Sequence, residues 1–289
     1  MKRTTIVLFA SAAICSVLLV LVLSFASRSA AGSLPDLSSL GYIHAVVRED
    51  GSGTKAQFDA LVSADESVDG TKKPSTNDVI TEVGQDRQAV GYAAFSSLNG
   101  NAYVRPLAID GVAPSQETFR NGTYPLTRNY YVAWSGALNE VGRDFVRYIM
   151  TAGQAIIDEE TNAVTAASPF RSLMPAGSLT ISGSTSIEPL MGKLIEDYMN
   201  YNPAASISLA ATDSSRGLKA AEEGKCDLAI SSRDLTKEEK NDLSCRMIAV
   251  DGVAVIVNAK NPVTSLTKKQ LRSIYSGDAE VWEDLADIR

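Results

Sequence analysis

Apolar residues run without a charge from Ile6 to Ala26, then give way to short apolar runs separated by polar, Gly-containing turns. The chain therefore divides into a leader and a folded remainder. Lys2 and Arg3 precede the long run, which has the make-up of an export signal over 1–31 and, at about 20 residues, the length of a bilayer span. Ser29-Ala30-Ala31 offers small residues for cleavage, and both cleavage and retention as an anchor stand open. Beyond the leader, apolar runs predict strands over 43–47, 89–94, 104–109, 130–134, 179–182, 207–211, 228–230 and 247–257. Helical patterning predicts helices over 54–62, 140–151, 187–201, 217–223, 237–243 and 268–275. Strands alternating with helices predict an α/β fold with largely parallel sheets. The stretch 166–177, with Pro169, Pro175 and small residues, reads as a linker.

Composition narrows the function. The chain has 289 residues, 27 Lys and Arg against 34 Asp and Glu, and a net charge of −7. A nucleic-acid partner is not expected, because neutralising phosphates needs clustered cations. One histidine, His44, leaves no two-histidine metal site and little material for His-based catalysis; in its apolar run it reads as structural. Cys226 and Cys245 each precede a predicted strand. They meet in a disulfide if those strands are neighbours, and stay separate thiols otherwise.

The candidate chemistry lies in short turns between a strand and a helix. They are Gly183-Ser184-Thr185-Ser186, Asp213-Ser214-Ser215-Arg216-Gly217, and Asp50-Gly51-Ser52-Gly53-Thr54 with Arg48 beside it. Each places backbone N–H groups and hydroxyls at a helix N-terminus, where the macrodipole favours an anion. One such turn is explained by ordinary N-capping. Three, with Ser231-Ser232-Arg233 at a strand end, predict a tetrahedral oxyanion held between helix ends. Of Arg48, Arg128 and Arg233, only Arg48 adjoins a donor turn, so Arg48 is expected to carry the charge. Gly51-Ser52-Gly53-Thr54-Lys55 lacks P-loop spacing, and Ile187 spoils a nucleophile elbow at Gly183. No metal cluster or activated nucleophile is legible, so neither an enzyme nor a cofactor is expected.

These turns, with 226–235, 248–258, Asn261-Pro262-Val263, 271–277 before Trp282, Val90-Gly91-Tyr92 and 124–128, resemble the substrate-binding proteins of phosphate ABC transporters. The resemblance implies a two-lobed periplasmic-binding-protein type II fold with a hinge and an anion cleft, inorganic phosphate as ligand, and an ABC permease as partner. It also implies export, with the membrane reached through the N-terminal segment if that is retained. It assigns phosphate contacts to Arg48, Ser52, Gly53, Thr54, Ser184, Thr185, Ser186, Ser214 and Ser232. Some relatives have an aspartate where Ser232 stands; Asp213, Glu49 and Asp50 are then candidate proton acceptors, the last two also candidate partners of Arg48, and selectivity over sulfate stays open. The two halves stand in exchanged order. Either the chain is a circular permutant joined through 166–177, or its halves pair with neighbours in a tandem array. For a permutant, 104–258 forms lobe I and 42–103 with 259–289 forms lobe II. The alternative function is a tethered phosphate-sensing or adhesive module on the same fold.

Overall fold

The structure is a computed structural model that describes residues 37–63 and 70–288; the expected leader lies outside the described residues. The strands are β1 His44–Arg48, β2 Thr71–Lys73, β3 Ala89–Ala94, β4 Val104–Pro106, β5 Ala108–Ile109, β6 Thr127–Ser135, β7 Asn162–Ala163, β8 Gly177–Ser184, β9 Ala205–Thr212, β10 Leu228–Ser231, β11 Leu243–Asn258 and β12 Ser265–Leu266. The helices are α1 Gly53–Val62, α2 Thr76–Gln85, α3 Gln116–Arg120, α4 Glu140–Ile149, α5 Gly153–Glu160, α6 Glu188–Tyr201, α7 Ser214–Glu222, α8 Lys237–Asp242 and α9 Lys268–Ser276. No helix among the described residues is long and apolar enough to cross a membrane.

One strand organises the rest. β11 runs through both lobes, and the strand path is β2-β1-β3-β11-β6-β10-β8-β9. Its first part, Leu243 to Gly252, pairs antiparallel with β6. Its second part, Val253 to Val257, pairs antiparallel with β3. Lobe I is therefore 127–252, and lobe II is 42–126 with 253–288. This moves the expected boundaries. Val104 lies on β4, which pairs with the end of β11, and β5 pairs with β12, so 104–126 and 253–258 build lobe II rather than lobe I.

The sheets are also less parallel than expected. Each lobe has a parallel trio, β2-β1-β3 and β10-β8-β9, but the antiparallel β6 and β11 stand between the trios because the chain crosses the hinge twice. Lobe I buries Phe145, Tyr148, Leu179, Ile181, Leu194 and Ile230 between its sheet and helices. Lobe II buries Val46, Val79, Val83, Ala93 and Ile256, with Phe58 stacked on Tyr92 at 4.1 Å between centroids. At the crossing, Gly252 is required by packing: an added Cβ would stand 2.2 Å from the Phe119 ring on α3.

Cys226 and Cys245 are free thiols, which corrects the disulfide expectation. Cys245 pairs with Ala133 on β6, and Ala133 pairs with Ala229 on β10. β6 thus separates β11, which carries Cys245, from β10, which Cys226 precedes, and two strand spacings, about 9–10 Å, exceed what a disulfide spans. His44 is half-exposed and takes Asp86 as its ion-pair partner.

The expected linker is a strap docked on lobe I. Asp144 of α4, 4% exposed, accepts hydrogen bonds from Ser172 Oγ at 2.6 Å, Tyr198 Oη at 3.0 Å and the Leu173 amide at 3.4 Å, with Arg147 beside it. Burial disfavours the Asp144 carboxylate, but these donors outweigh it and hold its carboxyl below the ordinary range. A lowered native pKa stabilises above the unfolded carboxylate value, about 3.9, and the gain is lost as pH falls through the native value. Asp144→Ala is expected to cost about 2–3 kcal/mol in urea unfolding at neutral pH. The gap between wild type and variant should close as the pH drops below about 4; a gap constant with pH would show that the carboxylate charge is not what binds the strap.

Candidate functional site

Four helix N-termini meet where the lobes touch, two from each lobe. In lobe II, Ser52 caps α1 by accepting from the Lys55 amide at 3.3 Å, and Ser75 caps α2 by accepting from the Asp78 amide at 3.1 Å. In lobe I, Asp213 caps α7 through the Arg216 amide at 2.8 Å, and Ser184, Thr185 and Ser186 lead from β8 into α6. α1, α2 and α7 are thus capped by side chains at the junction, and α6 starts there without one; the first turn of each carries N–H groups that have no partner within the helix.

The hydroxyls form a buried chain across the seam. Ser186 Oγ lies 2.7 Å from Thr54 Oγ1 and 2.9 Å from Thr76 Oγ1. Arg48 donates from NH1 to Thr76 at 3.1 Å, and Arg128 donates from NH1 to Thr54 at 2.7 Å. One lobe I serine thus sits between two lobe II threonines, each tied to a buried arginine. Beside them, Ser184 donates to Ser232 at 2.8 Å, the Ser232 amide donates to Ser214 Oγ at 3.1 Å, and the Ser215 amide reaches the Gly51 carbonyl at 3.2 Å. Gly53 presses against this group. A Cβ there would stand 2.2 Å from Ser214 Oγ and 2.9 Å from Ser214 Cβ.

The structure therefore brings Gly53, Thr54, Ser184, Thr185, Ser186, Ser214 and Ser232 together, with Ser52 as the cap behind them. Arg48 reaches the cluster through one nitrogen. Its other donors hold Glu49 at 3.1 and 2.8 Å and the carbonyls of Lys73 and Pro74. Glu49 is its carboxylate partner, whereas Asp50 is exposed and faces Lys72. Arg128, which the expectation left aside, also reaches the seam through its bond to Thr54. Arg233 is engaged by Glu239 and Ser215, and its hydrogen bonds hold the Glu239 carboxyl below its ordinary value. Sequence reasoning missed Thr76 and the role of Arg128. The available signals were Ser75 with Asp78 three residues on, which marks a helix start, and the position of Arg128 at the head of an apolar strand.

Buried rotatable hydroxyls, helix N-termini and two guanidinium groups can surround an oxyanion with donors from both lobes. Such a seam between two α/β lobes joined by paired strands is the build of a solute-binding protein. The family model of the PBP superfamily domain matches residues 35–152 and 168–288. The phosphate-binding protein PstS 2 of Streptococcus pneumoniae serotype 4 is 34% identical over 261 residues, covering 86% of this chain and 89% of that one. PstS 2 of Streptococcus agalactiae serotype V is 34% identical over 264 residues. PstS of Bacillus subtilis is 35% identical over 115 residues, 38% of each chain. A crystal structure of a phosphate ABC transporter phosphate-binding protein from S. pneumoniae superposes with a TM-score of 0.69 at 33% identity, covering 85% of this chain and 100% of that one. The chain belongs to the PBP superfamily and, within it, to the family of substrate-binding proteins of phosphate ABC transporters.

Because Ser214 Cβ cannot rotate away, Gly53→Ala should hold the lobes apart. Small-angle scattering should give the variant a larger radius of gyration than wild type; superimposable curves would show that the seam closes without this contact.

Proposed function

We propose that this protein binds inorganic phosphate outside the cytoplasm and delivers it to the permease of an ABC transporter, acting as a binder and not as a catalyst. The observation that carries this reading is the buried seam in which Ser186 bridges Thr54 and Thr76, each backed by an arginine. The anion takes the place of those hydroxyl-to-hydroxyl contacts. Ser184, Ser186, Ser214, Thr54 and Thr76 turn their protons toward it, the amides at Gly53 and Thr185 face it, and Arg48 and Ser232 complete the set, with Ser52 holding the α1 start as its cap. The leader over 1–31 directs export and, if retained, tethers the protein to the membrane.

The exchanged order of the halves is read as a circular permutation. Two observations support it. The match to the B. subtilis protein stops after 38% of either chain, as a collinear comparison does when halves are exchanged, whereas PstS 2 of S. pneumoniae matches over 86% of this chain and 89% of its own. The first and last described segments also lie side by side: Tyr42 bridges Val281, and the Ile43 amide donates to the Glu280 carbonyl at 2.8 Å.

Selectivity follows from position 232. Monohydrogen phosphate carries a proton that sulfate lacks, so a carboxylate acceptor favours phosphate and repels sulfate. Ser232 accepts a proton without repelling the sulfate dianion. Calorimetry should show one phosphate bound per chain, with sulfate competing measurably; absence of any phosphate heat or competition would overturn the function. Ser232→Asp should raise the phosphate-to-sulfate preference. A fall in that preference would move the acceptor to Asp213, whose buried carboxylate adjoins Gly51.

A further inference from the structure

We infer that Arg128 is a second charged contact for the bound anion and that Asp251 is its resident counter-charge, competing with the anion for the guanidinium, so that recognition and hinge geometry share one ion pair; this rests on the phosphate reading above. Arg128 and Asp251 stand directly opposite each other on β6 and β11, one residue inside lobe I from the point where both strands cross. Both side chains are wholly buried, with Arg128 NH2 3.3 Å from Asp251 Oδ2.

Asp251 is tied to both lobes. Its Oδ1 accepts from the Ser96 amide of lobe II at 3.2 Å and from Thr161 Oγ1 of lobe I at 3.3 Å. Its Oδ2 accepts from Arg128 and from the Tyr130 hydroxyl. Burial, against the pull of Arg128, holds the Tyr130 phenol well above its ordinary value, so it stays a donor. The carboxylate is saturated, but the arginine is not. Arg128 donates to Thr54, Tyr130 and Asp251, while its Nε has no hydrogen-bond partner among the described residues. Arg48, in contrast, is taken up by Glu49 and two carbonyls. Arg128 is thus the cation with donors to spare, 2.7 Å from a seam hydroxyl.

With no anion bound, Asp251 alone balances Arg128, and anion and carboxylate then compete for one guanidinium. Removing the carboxylate charge strengthens anion binding, and removing the arginine weakens it. Asp251→Asn keeps an acceptor for Ser96 and Thr161. The double variant Arg128→Gln with Asp251→Asn leaves no unpaired buried charge, so it avoids the penalty of removing one partner alone. The test titrates the full chain and both variants with inorganic phosphate by calorimetry, with thermal melts with and without phosphate. Asp251→Asn should bind phosphate at least about threefold more tightly and widen the phosphate-induced rise in melting temperature. The double variant should melt cooperatively and bind at least about 30-fold more weakly, as loss of a desolvated charge contact implies. A double variant within about threefold of wild type, or Asp251→Asn binding no more tightly than wild type, overturns the inference. If the double variant does not fold, the Asp251→Asn result decides. Failure of the wild type to bind phosphate would instead overturn the functional reading itself.

Discussion

A guanidinium removed from water costs several kcal/mol unless its donors are met, and two of them, Arg48 and Arg128, lie buried where the lobes join. Much of the local architecture answers that demand. Around Arg48 the loop 73–76 turns so that two carbonyls and Thr76 accept, and Glu49 supplies the charge. Around Arg128 the acceptors come from both lobes: Thr54 at the start of α1 in lobe II, and in lobe I Tyr130 on its own strand and Asp251 opposite it on β11. The positions of α1 and α2 are set by the same contacts, since Thr54 and Thr76 are first-turn residues of these helices.

Closure has a matching energetic logic. Besides the charge-assisted bonds of Arg128 to Thr54 and of the Ser96 amide to Asp251, the bonds described across the seam join neutral partners, each worth about 1 kcal/mol net. A handful of them, set against the ordering of serine and threonine rotors, leaves the closed state with little margin of its own. An oxyanion converts the same donors into charge-assisted contacts, roughly twice as strong. The two-stranded hinge, with Leu126 accepting from the Val253 amide beside Gly252, lets the lobes rotate while lobe cores stay packed. A ligand that binds only when both lobes contribute therefore selects the closed arrangement by its differential affinity.

How far this was readable from the chain depends on what each signal measures. Strand 89–94 and helix α1 follow from local patterning, because Val, Ala and Tyr in a continuous run, or a Ser cap before Phe58 and Val62, leave little choice. The three donor turns were legible for the same reason. Elements whose identity depends on distant partners were not. α3 has five residues, and its place is set by Phe119 against Gly252. The lobe boundary inside β11 leaves little mark, since apart from Asp251 the residues nearest Gly252, 248–250 and 253–257, are apolar and only the pairing partner changes. Arg128 reads as the polar start of a strand, and its burial is decided by Asp251, 123 residues away. The disulfide failed in the same way: which strands are neighbours is a tertiary property.

That dependence on distant partners also explains why an exchanged order of halves is physically cheap. The bonds that make the seam join residues far apart in sequence, with Thr54 and Ser186 separated by 132 positions. Such contacts depend on lobe packing and not on which half is threaded first. Changing the order alters only how the loops close, and each doubling of loop length costs about 0.6 kcal/mol. A strap that gains anchoring of its own offsets a term of that size. The strap 166–176 has it, through Asp144, the Arg147 contact with the Arg171 carbonyl, and Phe170 under the Arg147 guanidinium at 5.0 Å. The seam is therefore insulated from the chain's route, and its hydroxyls and arginines are free to stay fixed while the connections between them change.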